Sequence, residues 1–219
     1  MTTDKPSSAR DQILHRIRSA NGGTSEPAIA RSEWSAMARG YKRSGTKSRE
    51  NILSLLEDRL RDYDAQVIRS TPADVLRCVA ERLAARGKQR LLVPAGFPRD
   101  WLPPGVTFVL DESMTPAELD QVEGVITCST VSIAETGTVV LQNVPGQGRR
   151  AATLVPDYHL CLVRADEVVE TVPEAIARLQ ATATLSTTFV SGPSATADIE
   201  MTRIKGVHGP RFLDLILVV

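Results

Sequence analysis

Hydroxyls, glycines and titratable groups crowd into two stretches of this chain. Ser132-Ile133-Ala134-Glu135-Thr136-Gly137-Thr138 is the first, and Ser191-Gly192-Pro193-Ser194-Ala195-Thr196-Ala197-Asp198-Ile199-Glu200 is the second, followed by Gly206-Val207-His208-Gly209-Pro210. Each stands where an apolar, strand-like run meets polar residues. In the second, Thr188 to Val190 reads as a strand, Gly192 lets backbone approach a ligand, and Ser194 or Thr196 can cap a helix beginning near Ala197. Such a turn aims N–H donors and hydroxyls at a carboxylate or phosphate. In open α/β sheets these turns gather at the carboxyl ends of strands, where a ligand cleft is expected. The same residues also fit a plain helix cap, with Asp198 complementing the dipole.

Glu135 interrupts an apolar run that resumes through Leu141. A carboxylate there serves either as a nucleophile or base in a cleft, or as an acceptor for backbone N–H groups that fixes a turn, with Thr136 and Gly137 beside it. His208, between glycines, is an accessible imidazole and a candidate proton carrier. Arg149 and Arg150 follow Gly146-Gln147-Gly148 and can grip a carboxylate bidentately, or lie in a solvated loop. His159 opens an apolar strand without a second ligand at i+2 or i+4, which favours a satisfied strand-end histidine over a metal ligand. His15 reads as surface. Cys78, Cys128 and Cys161 are far apart, lack a Cys-x-x-Cys pair and have apolar neighbours, so they read as small buried hydrophobes and no metal or cluster site is encoded.

The elements that must position these groups change character along the chain. Residues 1–47 read as a helix, with Ile13, Leu14 and Ile17 on one face, that stops near Asn21-Gly22-Gly23, and then a draped connection to Thr46. Residues 48–219 form one α/β domain. A helix striped by Ile52, Leu53, Leu56 and Leu60 leads into strands at 66–69, 90–93, 106–110, 124–127, 139–142, 159–163, 188–191 and 214–219. Helices open at Thr71-Pro72-Ala73-Asp74 and Thr115-Pro116-Ala117-Glu118, and another spans 173–181. Strands alternating with helices predict an open, mostly parallel sheet flanked by helices; the tight spacing from Val125 to Val163 predicts an appended hairpin or meander.

Across 219 residues, 26 basic and 26 acidic side chains cancel, so no global field favours nucleic acid or an anionic membrane. No apolar run is long enough to insert in a membrane and the start lacks a signal-peptide pattern, which predicts a soluble cytoplasmic protein. Gly-x-Gly-x-x-Gly, Walker, Gly-x-Ser-x-Gly and His-Glu-x-x-His motifs are missing, which disfavours common nucleotide, serine-hydrolase and zinc-protease chemistry.

Together, Ile133 to Thr138, Leu154-Val155-Pro156-Asp157-Tyr158-His159, Ser191 to Glu200 and Gly206 to Pro210 resemble the lactate utilization protein C family (LutC/YkgG), the single-domain form of the LUD domain. The likeness runs from about Ser48 to Val219 and is weaker in the first helix. It implies a fold of the NagB/RpiA/CoA-transferase type. It also implies an accessory or substrate-binding role beside two iron–sulfur proteins, LutA-like and LutB-like, in oxidising L-lactate to pyruvate. Glu135, Thr136, Ser191, Ser194, Thr196, Asp198, Glu200 and His208 match its motifs at their own positions. The cysteine-rich segments of the related multi-domain form are missing, so the chain is expected to bind no cofactor and to leave electron transfer to partners. Two other readings remain: an acyl-CoA transferase-like or cyclo-ligase-like enzyme using Glu135, and a structural adaptor without catalysis.

Overall fold

The computed structural model describes residues 8–23, 26–196 and 204–219. The chain divides into two units, Met1–Tyr41 and Lys42–Val219.

In the first unit, helix α1 (Ala9–Ala20) begins at a capping box in which Ser8 and Asp11 satisfy each other's backbone N–H groups. The expectation of an irregular connection after Asn21 is overturned in part, because Pro27–Ala36 is a second helix, α2. Proline at its first turn is pre-set for helical φ, and the alanine-rich sequence carries high helix propensity without the apolar stripe by which helices are recognised. Arg39 closes this helix, donating to the Trp34 carbonyl at 2.7 Å with its guanidinium 4.6 Å from the indole centroid.

The second unit opens with α3 (Arg49–Asp62), capped by Ser48, whose Leu53, Leu56 and Leu60 are buried at helical spacing. Strands β1 (Gln66–Ser70), β2 (Arg90–Val93), β3 (Thr107–Leu110) and β4 (Gly124–Cys128) follow, with helices α4 (Val75–Ala85) and α5 (Pro116–Leu119) between them. The hydroxyl expected to cap α4 instead bonds the true cap, with Thr71 Oγ1 2.8 Å from Asp74, so α4 starts three residues later. The chain continues through β5 (Val131–Ile133), β6 (Thr138–Gln142), β7 (Tyr158–Arg164), β8 (Val168–Val169), α6 (Val172–Leu179), β9 (Thr187–Val190), β10 (Ala195–Thr196), β11 (Ile204–Lys205) and β12 (Phe212–Val218).

Six strands, in the order β1-β12-β7-β4-β2-β3, form an all-parallel sheet, as the alternation of strands and helices predicts. β7 sits inside it and shows the sandwich directly. Tyr158, Leu160 and Leu162 face α4, while Cys161 and Val163 face α3. Fully burying each such leucine contributes about 1.5–3 kcal/mol. The hairpin does not extend this sheet. β5 and β6 join β8 and β9 in a second sheet, β8-β5-β6-β9, packed through Ala134, Val139, Leu141 and Val168 onto the α3 side of the first and covered outside by Ala175 and Leu179 of α6. β9 therefore runs antiparallel to β6 and is not a strand of the parallel sheet.

One charged residue is enclosed at the amino end of β12. Asp214 accepts from Arg86 Nε and Nη2 at 3.0 and 2.6 Å and from the Tyr158 hydroxyl at 3.1 Å, with Arg82 Nε 3.3 Å away. This network ties α4 to the sheet, and burial beside Asp214 pushes the Tyr158 phenol well above its usual range.

Candidate functional site

A hollow of about 240 Å³ opens where β7 and β12 begin. Its walls include Ser191, Gly192 and Ser194 from the turn after β9, His208 and Pro210 from the approach to β12, and Arg150, Thr153 and His159. His159 and Leu213 are register partners at the second positions of β7 and β12, so the hollow lies at the amino ends of the parallel strands. The serine turn does follow the carboxyl end of its own strand, β9, as expected, but β9 belongs to the second sheet, so this hollow is not at the carboxyl ends of the parallel strands. The cause is local stitching: Ser194 N donates to the Pro210 carbonyl, Gly206 N to the Ser194 carbonyl and His208 N to Ser194 Oγ, each at 2.9 Å. These bonds fasten the serine turn to the segment that feeds β12. Ser194 Oγ is thus an acceptor that shapes the loop, and the His208 ring is exposed at its edge.

Arg150 supplies the charge. Its Nη1 reaches only Thr153, carbonyl at 3.3 Å and hydroxyl at 3.4 Å, and among the described residues no carboxylate stands within ion-pair distance. His159 is 2% exposed, with Nε2 2.8 Å from Thr127 Oγ1. Burial, helped by the charge of Arg150, pushes its pKa down to about 4, so the ring is neutral near pH 7. The hollow therefore joins a guanidinium without an acidic partner among the described residues, hydroxyls and a neutral imidazole, a composition suited to a small anion.

Glu135, Thr136 and Gly137 form the β5–β6 turn and do not line the hollow. They connect to it through hydroxyls: Thr136 Oγ1 and Thr138 Oγ1 are 2.7 Å apart, and Thr138 Oγ1 and Ser191 Oγ are 2.7 Å apart. Gly137 has φ +58°, and a Cβ there would lie 2.8 Å from Arg59 Cβ, so the turn presses against α3. Glu135 Oε1 accepts from Lys42 Nζ at 3.2 Å, and the same ammonium reaches Glu170 at 3.1 Å. Glu170, 1% exposed, also accepts from Lys47 N at 2.7 Å, while Glu174 accepts from Gly45 N at 3.1 Å. The Lys47 amide, with the Lys42 and Lys47 ammoniums, holds the Glu170 carboxyl down at about 2. Residues 42–48 are thus clipped to the second sheet by acidic side chains.

Arg149 belongs elsewhere. It donates to Asp111 through Nε at 2.7 Å and Nη2 at 2.8 Å, and Nη2 also bonds the Met114 carbonyl. With Pro94, Gly96, Ser113 and Asn143 this pair borders a second hollow, of about 470 Å³, at the carboxyl ends of β2 and β3. Its arginine is already matched by an aspartate, so it offers an incoming anion little unpaired charge, and the first hollow is the better anion site. Thr196 pairs through its backbone with Ile204 in the β10–β11 ribbon. Asp198, Glu200 and the helix expected from Ala197 lie outside the described residues.

Sequence reasoning did not nominate His159, Thr153 or Lys42. The signal for His159 was a histidine at the edge of a buried strand nine residues after Arg150; nothing local points to Lys42, which meets Glu135 from 93 positions away. Cys161 is buried and Cys128 largely so, and burial raises the Cys128 thiol to about 12, which agrees with their reading as inert hydrophobes. Among the described residues no cluster of three His, Cys, Asp or Glu side chains could hold a metal ion, and no helix is long and apolar enough to cross a membrane.

Known proteins are similar to this chain. The family model described as the LUD domain matches residues 9–218. A protein of Deinococcus radiodurans named lactate utilization protein C is 42% identical over 174 residues, covering 78% of this chain and 81% of its own. The protein of that name from Geobacillus thermodenitrificans is 28% identical over 229 residues, covering 92% of each. The crystal structure of a DUF162 family protein from Deinococcus radiodurans superposes with a TM-score of 0.70 at 36% identity, covering 80% of this chain and all of that one. The chain belongs to the LUD domain family.

Proposed function

We propose that the protein serves lactate utilization as an accessory or substrate-binding subunit, and that the hollow at the amino ends of β7 and β12 takes a small carboxylate such as L-lactate. The observation that carries this reading is Arg150, a guanidinium at the wall of a 240 Å³ hollow with no carboxylate partner among the described residues. Relatives covering most of the chain bear the name lactate utilization protein C, which supports the pathway. The hollow is smaller than the roughly 300–1,000 Å³ typical of drug-sized ligands, in keeping with a small hydroxy acid. Oxidation of the hydroxy acid releases an electron pair, and iron–sulfur partners of the LutA-like and LutB-like kind are the proposed acceptors, since this chain has no cysteine cluster. His208, exposed at the edge of the hollow, is the proposed proton carrier.

Calorimetry with L-lactate tests the binding step. Wild-type protein should bind at millimolar or lower concentration, and Arg150→Gln should weaken binding about tenfold or more, the worth of a charge-assisted hydrogen bond. Absence of heat at millimolar lactate, both alone and with iron–sulfur partners, would discard the proposal.

A further inference from the structure

His159 commits one ring nitrogen, and among the described residues the other has no partner. Among the described residues its hydrogen bond is from Nε2 to Thr127 Oγ1, 2.8 Å. The fully enclosed side-chain nitrogens and oxygens without a hydrogen-bond partner, among the described residues, are Arg82 Nε and Ser132 Oγ, and Nδ1 is not one of them. The residue lines the hollow, and Nδ1 is its nitrogen without a partner among the described residues.

A continuous chain of hydrogen-bonding groups lies behind the Thr127 bond. Thr127 Oγ1 donates to Cys161 Sγ at 3.7 Å, and Cys161 Sγ donates to the Cys128 carbonyl at 3.8 Å. A hydroxyl has one proton, which Thr127 can direct either at His159 Nε2 or at Cys161 Sγ. With the hydroxyl proton directed at sulfur, Thr127 accepts from His159, an arrangement that places the imidazole proton on Nε2 and a lone pair on Nδ1. In that arrangement the chain of donors runs His159 to Thr127 to Cys161 to the Cys128 carbonyl, with each hydrogen used once.

We propose that His159 is a specificity-determining residue of this hollow: its Nδ1 accepts a hydrogen bond from a hydroxyl on the bound molecule while Arg150 holds the carboxylate, so the site selects 2-hydroxy acids over acids that lack the hydroxyl. This rests on the small-carboxylate reading above and deepens it. A 2-oxo acid has only acceptors at that carbon and gains nothing from an Nδ1 lone pair, so the substituent also sets the order between the hydroxy and oxo forms.

The test compares L-lactate, propionate and pyruvate by calorimetry on the intact chain, together with the tautomer of His159 from long-range nitrogen–proton NMR at neutral pH. Lactate should bind about tenfold more tightly than propionate, with pyruvate near propionate. His159→Phe should reduce the lactate-to-propionate ratio to near one while propionate binding persists, and the ring proton should sit on Nε2. Equal binding of lactate and propionate by the wild type overturns the inference and leaves the carboxylate reading standing. A proton found on Nδ1 overturns it as well, without any variant having to fold. No binding of any of the three acids removes the carboxylate reading and this inference together.

Discussion

Gly192 lines the hollow, yet the close approach it permits is to Tyr63 at the end of α3. Its φ is +82°, and a Cβ built on it would stand 2.4 Å from Tyr63 Cβ, 3.1 Å from Cγ and 3.4 Å from the carbonyl oxygen. Carbon atoms in contact prefer about 3.5–4.0 Å, so the added methyl falls short by about 1 Å. Tyr63 Cβ is fixed to the backbone and cannot swing aside as a side-chain tip would. Gly192→Ala should therefore carry two penalties: about 1–2 kcal/mol for a left-handed φ and about 1–3 kcal/mol for overpacking. Gly105 separates them, because its φ is +85° and nothing lies within 4 Å of the site where its Cβ would be. Gly105→Ala shares the φ penalty and the entropy change of the unfolded chain, and lacks the clash. Urea denaturation of both variants should show Gly192→Ala less stable by about 1–3 kcal/mol at unchanged slope. If the two lose equal stability, the contact between the serine turn and α3 is not what demands glycine at 192, and the account of how that turn is held is wrong.

Two more expectations follow from charged groups. The pKa of His159 falls from 6.5 to about 4 in the folded chain, so between those values the unfolded state binds the extra proton and stability decreases as pH falls. The loss should reach about 2 kcal/mol by pH 5 relative to pH 7, and denaturation of His159→Gln at both pH values should show a smaller loss; matching losses would refute burial of a neutral ring. Glu170 anchors Lys42 and Lys47, so Glu170→Gln should speed tryptic cleavage within residues 42–48 roughly threefold or more, read by mass spectrometry, and an unchanged rate would mean that the clip does not restrain this segment.

The parallel core was legible because each of its strands is an apolar run bounded by turn residues, and α3 because Leu53, Leu56 and Leu60 repeat at helical spacing. Capping boxes did as much for α5, where Thr115 and Glu118 exchange bonds as read. The partition into two sheets was not legible. Val131–Ile133 is only three residues long, and whether β6 and β9 extend the parallel sheet or leave it depends on pairings between residues far apart in sequence, such as Val139 with Val190. Local patterns report periodicity, and they carry no record of which strand lies beside which. α2 escaped for the opposite reason: it has helix propensity and no buried face to give it a stripe.

For the site, the residue types were readable and their grouping was not. Ser191, Gly192, Ser194 and His208 meet because backbone bonds stitch 194 to 206–210, an arrangement their closeness in sequence makes easy. Arg149 and Arg150 were indistinguishable as letters, since each is a cation after two glycines. Their fates diverge because successive residues leave the backbone in different directions: Arg149 meets Asp111, and among the described residues Arg150 finds only Thr153. An arginine already matched by a buried aspartate gives an anion little to gain, whereas one held only by neutral oxygens keeps its charge for a ligand. The proposed function thus turns on which cation lacks an acidic partner among the described residues, a property of three-dimensional placement. It is also what makes Arg150, beside the neutral ring of His159, the residue on which a carboxylate should depend most.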